Sequence, residues 1–174
     1  MDIDSKNELP SKDAIDVLNK NMVEGLNILS FKYLPDDAEK CMSAVTAARY
    51  IVTYKDTKDD ACYIENIRDL KTKFYDESQS IDIIKKTKKG ERELDLKPLI
   101  YSFDLNIKEG VPVYDLLLSS GSTDNIKPEL VIKAFHEYLG LPEFDELSLD
   151  IERKDMYTGL PTSLKSLGDI GNEH

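Results

Sequence analysis

The sequence predicts an α+β fold, a largely antiparallel sheet with helices packed on one face and ferredoxin-like elements. Three observations carry this prediction. Short apolar alternations of strand period adjoin one another in the middle of the chain, with turn residues between them. Segments with helical apolar spacing punctuate the ends, as in folds whose helices cover one face of a sheet. No fixed repeat and no low-complexity linker occurs, which favours a single domain over residues 1–158.

The stretch 79–107 predicts a hairpin, a tight corner and a further strand. Gly90 can supply the positive φ of a short hairpin turn. Pro98 lacks a backbone N–H and therefore belongs at a bend or at the first residue of a strand. At this corner Asp95 and Lys97 flank Leu96, which we expect to point inward. The Asp95 carboxylate either fixes the corner by accepting backbone N–H groups, or it orients a ligand together with Lys97.

The remaining elements follow from apolar spacing and from turn residues. Helices are predicted at 11–21, at 37–47, at 127–139, and in a segment whose apolar face carries Tyr63, Ile67, Leu70 and Phe74. Gly140 ends the last helix, because glycine tolerates the left-handed conformation that follows a helix. Strands are predicted at 26–33, 48–55, 111–118 and 146–153. Residues 159–174 are predicted to form a peripheral or partly disordered tail.

Composition excludes several classes of protein. No apolar run reaches 18 residues, so no membrane span is expected, and the acidic start MDIDSKNELPSKD is unlike a signal peptide. We therefore expect a cytoplasmic protein. Cys41 and Cys62 lie in segments predicted to be helical and are expected to be buried small hydrophobes rather than a disulfide. A net charge of −11 disfavours RNA or DNA as the main partner, although a local patch could still bind it.

The one basic cluster of the sequence lies on the predicted hairpin and its corner. It predicts either a patch for phosphate or an acidic partner, or a solvated edge whose lysines discourage aggregation. Its members are Lys85, Lys86, Lys88, Lys89, Arg92 and Lys97.

Neither a metal site nor a catalytic motif is predicted. The acidic groups at 36–37 and 56–60 lack the spacing of a calcium loop, and acids at helix N-termini explain both. His136 lies in the middle of a helix without a second histidine in a useful place, so we expect a structural or solvent-facing role. No nucleophile elbow, phosphate-cradling loop or Cys-x-x-Cys occurs, so no cofactor is expected.

Several short segments, in this order and spacing, resemble the uncharacterised radical SAM-linked protein family over residues 1–158. They are the segments Asn19–Leu29, Ala47–Tyr50, Lys88–Gly90, Glu93–Ile100 and Ile126–Leu130, with Arg153 in a closing strand. Members of that family are encoded beside, or fused to, radical S-adenosylmethionine proteins, mostly in bacteria. The N-terminal portion of the family has no counterpart here, and neither has the three-cysteine cluster motif of a radical SAM enzyme.

The resemblance implies an accessory binding module that assists a separate radical SAM protein in modifying RNA or another macromolecule. We expect contact through Arg92, Asp95, Lys97 and Arg153. Alternatively, the chain belongs to an RNA- or cofactor-modifying enzyme whose active site needs the missing N-terminal part. A deep pocket lined by Asp95, Arg153 and Tyr157 would favour that enzyme. A third hypothesis is a folded remnant without activity, which an exposed apolar patch at the place where the missing strand should pair would favour.

Overall fold

The computed structural model describes residues 3, 5, 8–55, 67–87, 90–122, 125–140 and 145–173. The helices are α1 (Ser11–Lys20), α2 (Cys41–Ala44), α3 (Ile67–Lys71) and α4 (Pro128–Tyr138). The strands are β1 (Ala47–Tyr54), β2 (Asp82–Thr87), β3 (Gly90–Asp95), β4 (Ile100–Lys108), β5 (Val111–Ser119), β6 (Leu149–Thr158) and β7 (Lys165–Ser166). Five strands form one antiparallel sheet in the order β4-β5-β1-β6-β7, and β2 and β3 pair separately.

The order of the strands confirms the predicted α+β fold and its ferredoxin-like element. The succession β1-α3-β4-β5-α4-β6, with sheet order β4-β5-β1-β6, is the split βαβ arrangement of ferredoxin-like folds. The β2–β3 hairpin is inserted between α3 and β4, and β7 extends the sheet beside β6. The hairpin therefore lies outside the main sheet, within the first crossover connection.

The core lies between one face of the sheet and the helices. Phe103, Tyr114 and Leu116 project from β4 and β5, and Val131 and Phe135 reach them from α4; all five are fully buried. The aromatic rings meet edge to face, with 5.4 Å between the centroids of Phe103 and Phe135. Burial of one such side chain contributes about 1.5–3 kcal/mol, so this layer supplies much of the stability. The opposite face of the sheet carries both polar and apolar residues, among them Asp115 and Leu117 of β5.

The hairpin and its corner form as predicted. β2 pairs with β3 from Asp82 opposite Asp95 to Thr87 opposite Gly90, and Gly90 has a φ of 122°. A short 3₁₀ turn, Lys97–Leu99, follows and leads into β4. Leu96 is completely buried in the core, so it points inward as expected. Lys88 and Lys89, at the tip of the hairpin, lie outside the described residues.

Two of the predicted helices are confirmed, and a third is confirmed in part. α1 and α4 match the predictions at 11–21 and 127–139, and Gly140 follows α4 with a φ of 65°. α3 continues as one π-helical turn, Thr72–Asp76, which places Phe74 in the core. The segment before residue 67, with Tyr63, Cys62 and the acids at 56–60, lies outside the described residues.

The prediction of a strand at 26–33 was wrong. A strand pairs through its backbone with a neighbouring strand, but the backbone of Ile28 pairs with a side chain instead. The Asn19 amide donates to the C=O of Ile28 and accepts from its N–H. Of residues 26–33, only Tyr33 makes a β-bridge to a described residue, Asn172. The rest of the segment is an extended loop.

The prediction of a helix at 37–47 was also wrong beyond one turn. Asp36 and Asp37 lie in a turn closed by the bond from Ala38 N to Pro35 O, and the single helical turn α2 begins only at Cys41. Ala47 is already the first residue of β1, as the predicted strand at 48–55 requires. Cys41 is half-buried rather than buried. The acids of this segment are therefore not the head of a helix.

The last long strand starts later and runs further than the predicted 146–153. Residues Glu146–Ser148 form a 3₁₀ turn whose first N–H groups are capped by Asp145, and this turn leaves Leu147 exposed. A bulge then interrupts the pairing of β6 with β1, since Tyr50 opposes Arg153 but Arg49 opposes Asp155. Lys154 is the extra residue.

The C-terminal segment contributes to the edge of the sheet. β7 pairs with the end of β6, and the Lys32 ammonium donates to the carbonyl of Gly168. The bridge between Tyr33 and Asn172 joins this segment to the chain that follows α1. The tail and the N-terminal region thus lie against one another.

Candidate interaction site

Exposed apolar side chains concentrate in the N-terminal quarter of the chain. Eight of the twelve large apolar residues that are exposed among the described residues lie between Ile3 and Met42. Leu29 is 90% exposed and Met42 is 89% exposed. We call the following residues the N-terminal apolar surface: Leu9, Val17, Val23, Leu26, Leu29, Leu34 and Met42. Exposed apolar patches on soluble proteins often contact other molecules, which makes this region a candidate interaction site.

The main chain of the same region offers hydrogen-bonding groups. Asn19 bonds the main-chain N–H and C=O of Ile28, and Asn172 bonds those of Tyr33. Leu29 and Ser30, which lie between these two residues in the sequence, make no main-chain bond to any described residue. An extended segment in this state can accept a strand from another protein, because its free N–H and C=O groups are a template for pairing. The region combines exposed apolar side chains with free backbone groups.

Asp95, the first predicted contact residue, fixes the corner after the hairpin. Its Oδ1 accepts from the backbone N–H of Ile81 at 2.8 Å and from that of Lys97 at 2.9 Å. Leu96 N also donates to Ile81 O, so the corner is bound to the start of β2 at two places. This is the structural alternative that the sequence offered for Asp95.

Lys97 lies against Tyr75 of the π-helical turn. Its ammonium donates to the Tyr75 carbonyl and lies 3.8 Å from the centre of the Tyr75 ring. The Tyr75 hydroxyl in turn donates to Ile100 O at 2.8 Å. Burial, followed by the charges of Asp76 and Asp104, raises the pKa of Tyr75, which keeps that phenol protonated. Lys97 thus joins the corner to the π-helical turn.

Arg92 and Arg153 do not join this corner. Arg92 is exposed on β3, opposite Lys85 and between Glu91 and Glu93. Arg153 is exposed on β6, and β5 and β1 separate that strand from β4, a distance of about 14 Å. The structure therefore brings together Asp95 and Lys97 and leaves the two arginines apart. Sequence spacing could not have shown this, because it depends on the order of the strands.

A shallow groove of about 280 Å³ opens beside the corner, between the end of the π-helical turn and α4. Its floor is apolar and consists of Phe74, Ile81 and Ala134, all of them buried. The Tyr138 ring stands at one side, 48% exposed, with its centroid 5.4 Å from that of Phe74. Asp95 supports this floor through its bond to the backbone of Ile81.

The polar rim of the groove is acidic. Asp82 and Glu137 contribute carboxylates, and Ser78 and Ser80 contribute hydroxyls. Ser80 donates to Asp82 Oδ2 at 2.8 Å, while Ser78 donates to the carbonyls of the π-helical turn. In the described part of the chain no lysine or arginine lines the groove, although Lys133 lies 3.9 Å from Glu137 on the same helix. No sequence pattern predicted this groove, because its two walls lie about fifty residues apart in the chain.

His136 has a structural environment. It is buried on α4, and its Nε2 lies 2.5 Å from the Tyr54 hydroxyl, which lies 3.5 Å from the hydroxyl of Tyr114. Of the two roles that the sequence predicted for His136, the structural one is confirmed. Buried polar groups require hydrogen-bond partners, and the contacts among these three side chains connect β1, β5 and α4.

The two central strands, β1 and β5, present no aromatic ring for stacking bases on the face of the sheet opposite the helices. Its central strands present Arg49 and Ile51 from β1 and Asp115 and Leu117 from β5. Arg49 donates to both carboxylate oxygens of Asp115, and this bond raises the pKa of the guanidinium. Single-stranded RNA is usually bound on such a sheet by exposed aromatic rings of the central strands. These two strands carry none on this face.

Neither a metal centre nor a membrane helix is found in the described ranges. No three His, Cys, Asp or Glu side chains among these residues are grouped as ligands of an ion. None of the described helices is long and apolar enough to cross a bilayer.

Comparison with known proteins identifies the family. The model of a family described as an uncharacterized protein conserved in bacteria (DUF2344) matches residues 1–128 of the 174-residue chain. The chain belongs to this family. The matched part of this DUF2344 member contains the N-terminal apolar surface, the hairpin, its corner and strands β1 to β5. No curated protein and no solved structure matches the chain.

Proposed function

We propose that this DUF2344 protein is a non-catalytic accessory module that binds a separate protein through the N-terminal apolar surface. One observation carries the proposal, namely the concentration of exposed large apolar side chains between Ile3 and Met42. Burial of one leucine side chain contributes about 1.5–3 kcal/mol, so a partner that covers several of them gains substantial affinity. The free main-chain groups of Leu29 and Ser30 add the option of strand pairing.

The proposed partner is a radical SAM protein that modifies RNA or another macromolecule. This part rests on the resemblance of the short motifs in residues 1–158 to radical SAM-linked proteins. The module would supply contacts, and the partner would supply the iron–sulfur chemistry. Arg92, Asp95, Lys97 and Arg153 remain proposed contact residues, with Asp95 and Lys97 acting through the shape of the corner.

The geometry supports a binding module better than the alternative enzyme. That enzyme would need a deep pocket lined by Asp95, Arg153 and Tyr157, but none of these three lines the groove beside the corner. Asp95 lies at the corner, while Arg153 and Tyr157 lie on β6. The groove is also shallow.

The test is a direct binding measurement with the purified radical SAM protein encoded nearest to the gene. The double variant L29S/M42S removes two exposed apolar side chains of the N-terminal apolar surface. The matched control is L147S/L160S, which changes residues 77% and 69% exposed that lie outside this surface. We expect the Kd to rise at least tenfold for L29S/M42S, about 1.4 kcal/mol, and to change little for the control.

Three results would argue against the proposal. Equal losses in both variants would show that the N-terminal apolar surface is not the binding site. Absence of binding by the unaltered protein, with and without ribonuclease treatment, would favour the folded remnant. Binding that ribonuclease abolishes would point to an RNA-mediated contact instead.

A further inference from the structure

The groove between the π-helical turn and α4 has the properties of a site for one cationic side chain. Its volume of about 280 Å³ lies just below the roughly 300–1,000 Å³ of pockets that enclose a whole small molecule. Its floor of Phe74, Ile81 and Ala134 is apolar, so it suits an aliphatic stem. A single long side chain fits these dimensions better than a nucleotide does.

The charges around the groove indicate the sign of the occupant. Asp82 and Glu137 place carboxylates on its rim, and the whole chain carries a net charge of −11. Asp82 Oδ2 accepts from Ser80, which holds this carboxylate in place beside the opening. Lys133 is near Glu137, but at 3.9 Å and on an exposed helix face their interaction is weak. An incoming cation can compete with it.

The Tyr138 ring distinguishes among cations. About half of its surface is exposed, and its ring is positioned by contact with Phe74. A guanidinium group stacks on such a ring and can bond a carboxylate through two N–H groups at once, whereas an ammonium group presents only a point charge. The combination of an aromatic ring, two carboxylates and an apolar floor therefore favours arginine.

We propose that this groove binds an arginine side chain of the partner protein. The inference rests on the proposed function, since it assumes a protein partner. It adds a second contact, in which an arginine of that partner binds in the groove. The N-terminal apolar surface would supply apolar contact area, and the groove would select a partner with a suitably placed arginine.

The first experiment needs no partner. Acetyl-arginine methylamide is titrated into the ¹⁵N-labelled full chain, and the backbone amide shifts are followed by NMR. We expect saturable shifts at Ser78, Ile81 and Tyr138. The double variant D82N/E137Q should weaken binding about tenfold, because two charged acceptors are lost, while the control D150N/E152Q, with two exposed acids of β6, should not. Circular dichroism checks that each variant is folded, and E137Q alone serves if D82N disturbs the hairpin.

Comparison ligands and the partner complete the test. Acetyl-norleucine methylamide should bind at least tenfold more weakly than the arginine probe, and equal binding would overturn a charge-selective groove. Tighter binding of spermidine would identify a site for a free organic cation and would overturn the proposal. D82N/E137Q should also weaken binding of the radical SAM partner. Unchanged affinity for this partner would overturn the proposal that an arginine of the partner occupies the groove. Loss of the proposed function would appear separately, in the L29S/M42S measurement.

Discussion

Single residues at the corner between β3 and β4 have roles that could be read from their positions in the sequence. An aspartate two residues before a lysine, with an inward leucine between them, predicts a side chain that accepts backbone N–H groups. Asp95 does so twice. The proximity of Lys97 to Tyr75 could not be predicted in this way, because it requires the π-helical turn to lie beside the corner.

Replacement of Asp95 by alanine should destabilise the protein by about 1–3 kcal/mol, because two N–H groups lose a charged acceptor. Asn at this position keeps one carbonyl oxygen and should cost less. Urea unfolding followed by circular dichroism measures the difference. The control is Glu93→Ala on the same strand, where an exposed side chain is removed and the change should stay within about 0.5 kcal/mol. Equal effects of the two alanine variants would contradict the role of Asp95.

Buried polar residues were harder to place from the sequence. His136 was assigned a structural or a solvent-facing role, and only the fold shows that its ring meets Tyr54 from β1. Helical spacing tells which residues share a face of α4, but it does not tell which strand that face contacts. The same limitation applies to Arg153, whose distance from Asp95 depends on the order of the strands.

Elements with a strong local signal were predicted well, and elements that depend on a neighbour were not. α4 has an apolar face, a proline in its first turn and Gly140 at its end, and all of these are properties of the segment itself. The extended segment at 26–33 has the apolar content of a strand but no strand beside it in the described residues. The acids at 36–37 resembled a helix start, although the chain first forms a turn at Pro35.

The end of α4 provides a test at this scale. Gly140→Ala places a Cβ at a residue with a φ of 65°, and we expect a loss of about 1–2 kcal/mol from backbone strain alone, since no atom lies within 4 Å of that Cβ. Gly121→Ala is the matched control, because its φ is not positive and its new Cβ would meet only Val45 O at 3.8 Å. Thermal and urea unfolding of both variants give the comparison. A control as costly as Gly140→Ala would contradict the assignment of strain.

At the scale of the whole molecule, the class of fold was predictable and the arrangement of its sheet was not. Alternating helical and strand periods indicated α+β, but the order β4-β5-β1-β6-β7 brings together strands that are far apart in the sequence, such as β1 and β6, where Ala47 pairs with Tyr157. That β2 and β3 pair apart from the main sheet could not be predicted from the sequence either. Net charge, in contrast, is a property of the whole chain and needed no structure.

The charge of the whole chain leads to a prediction about RNA. We expect no binding of a fluorescein-labelled single-stranded RNA tighter than about 10⁻⁴ M at physiological salt, the weak end of non-specific binding. The central strands also lack stacking rings on their free face. Fluorescence anisotropy at two salt concentrations measures this. A salt-dependent rise at micromolar protein would contradict the prediction, and Arg92→Glu would then test whether the basic hairpin is responsible.

The bulge in β6 has a consequence for how the length of this strand is constrained. On its N-terminal side the odd-numbered residues Ile151 and Arg153 share a face with Val52 and Tyr50, whereas on its C-terminal side Met156 shares that face with Ala48. If Lys154 were instead paired regularly within the strand, the alternation would continue through it, and Asp155 would turn towards the core in place of Met156. Replacement of Lys154 and removal of Lys154 are therefore different events. Replacement changes one exposed side chain and keeps the bulge, while removal would let Asp155 follow Arg153 in regular alternation, with Asp155 and Met156 on the sides that they occupy now.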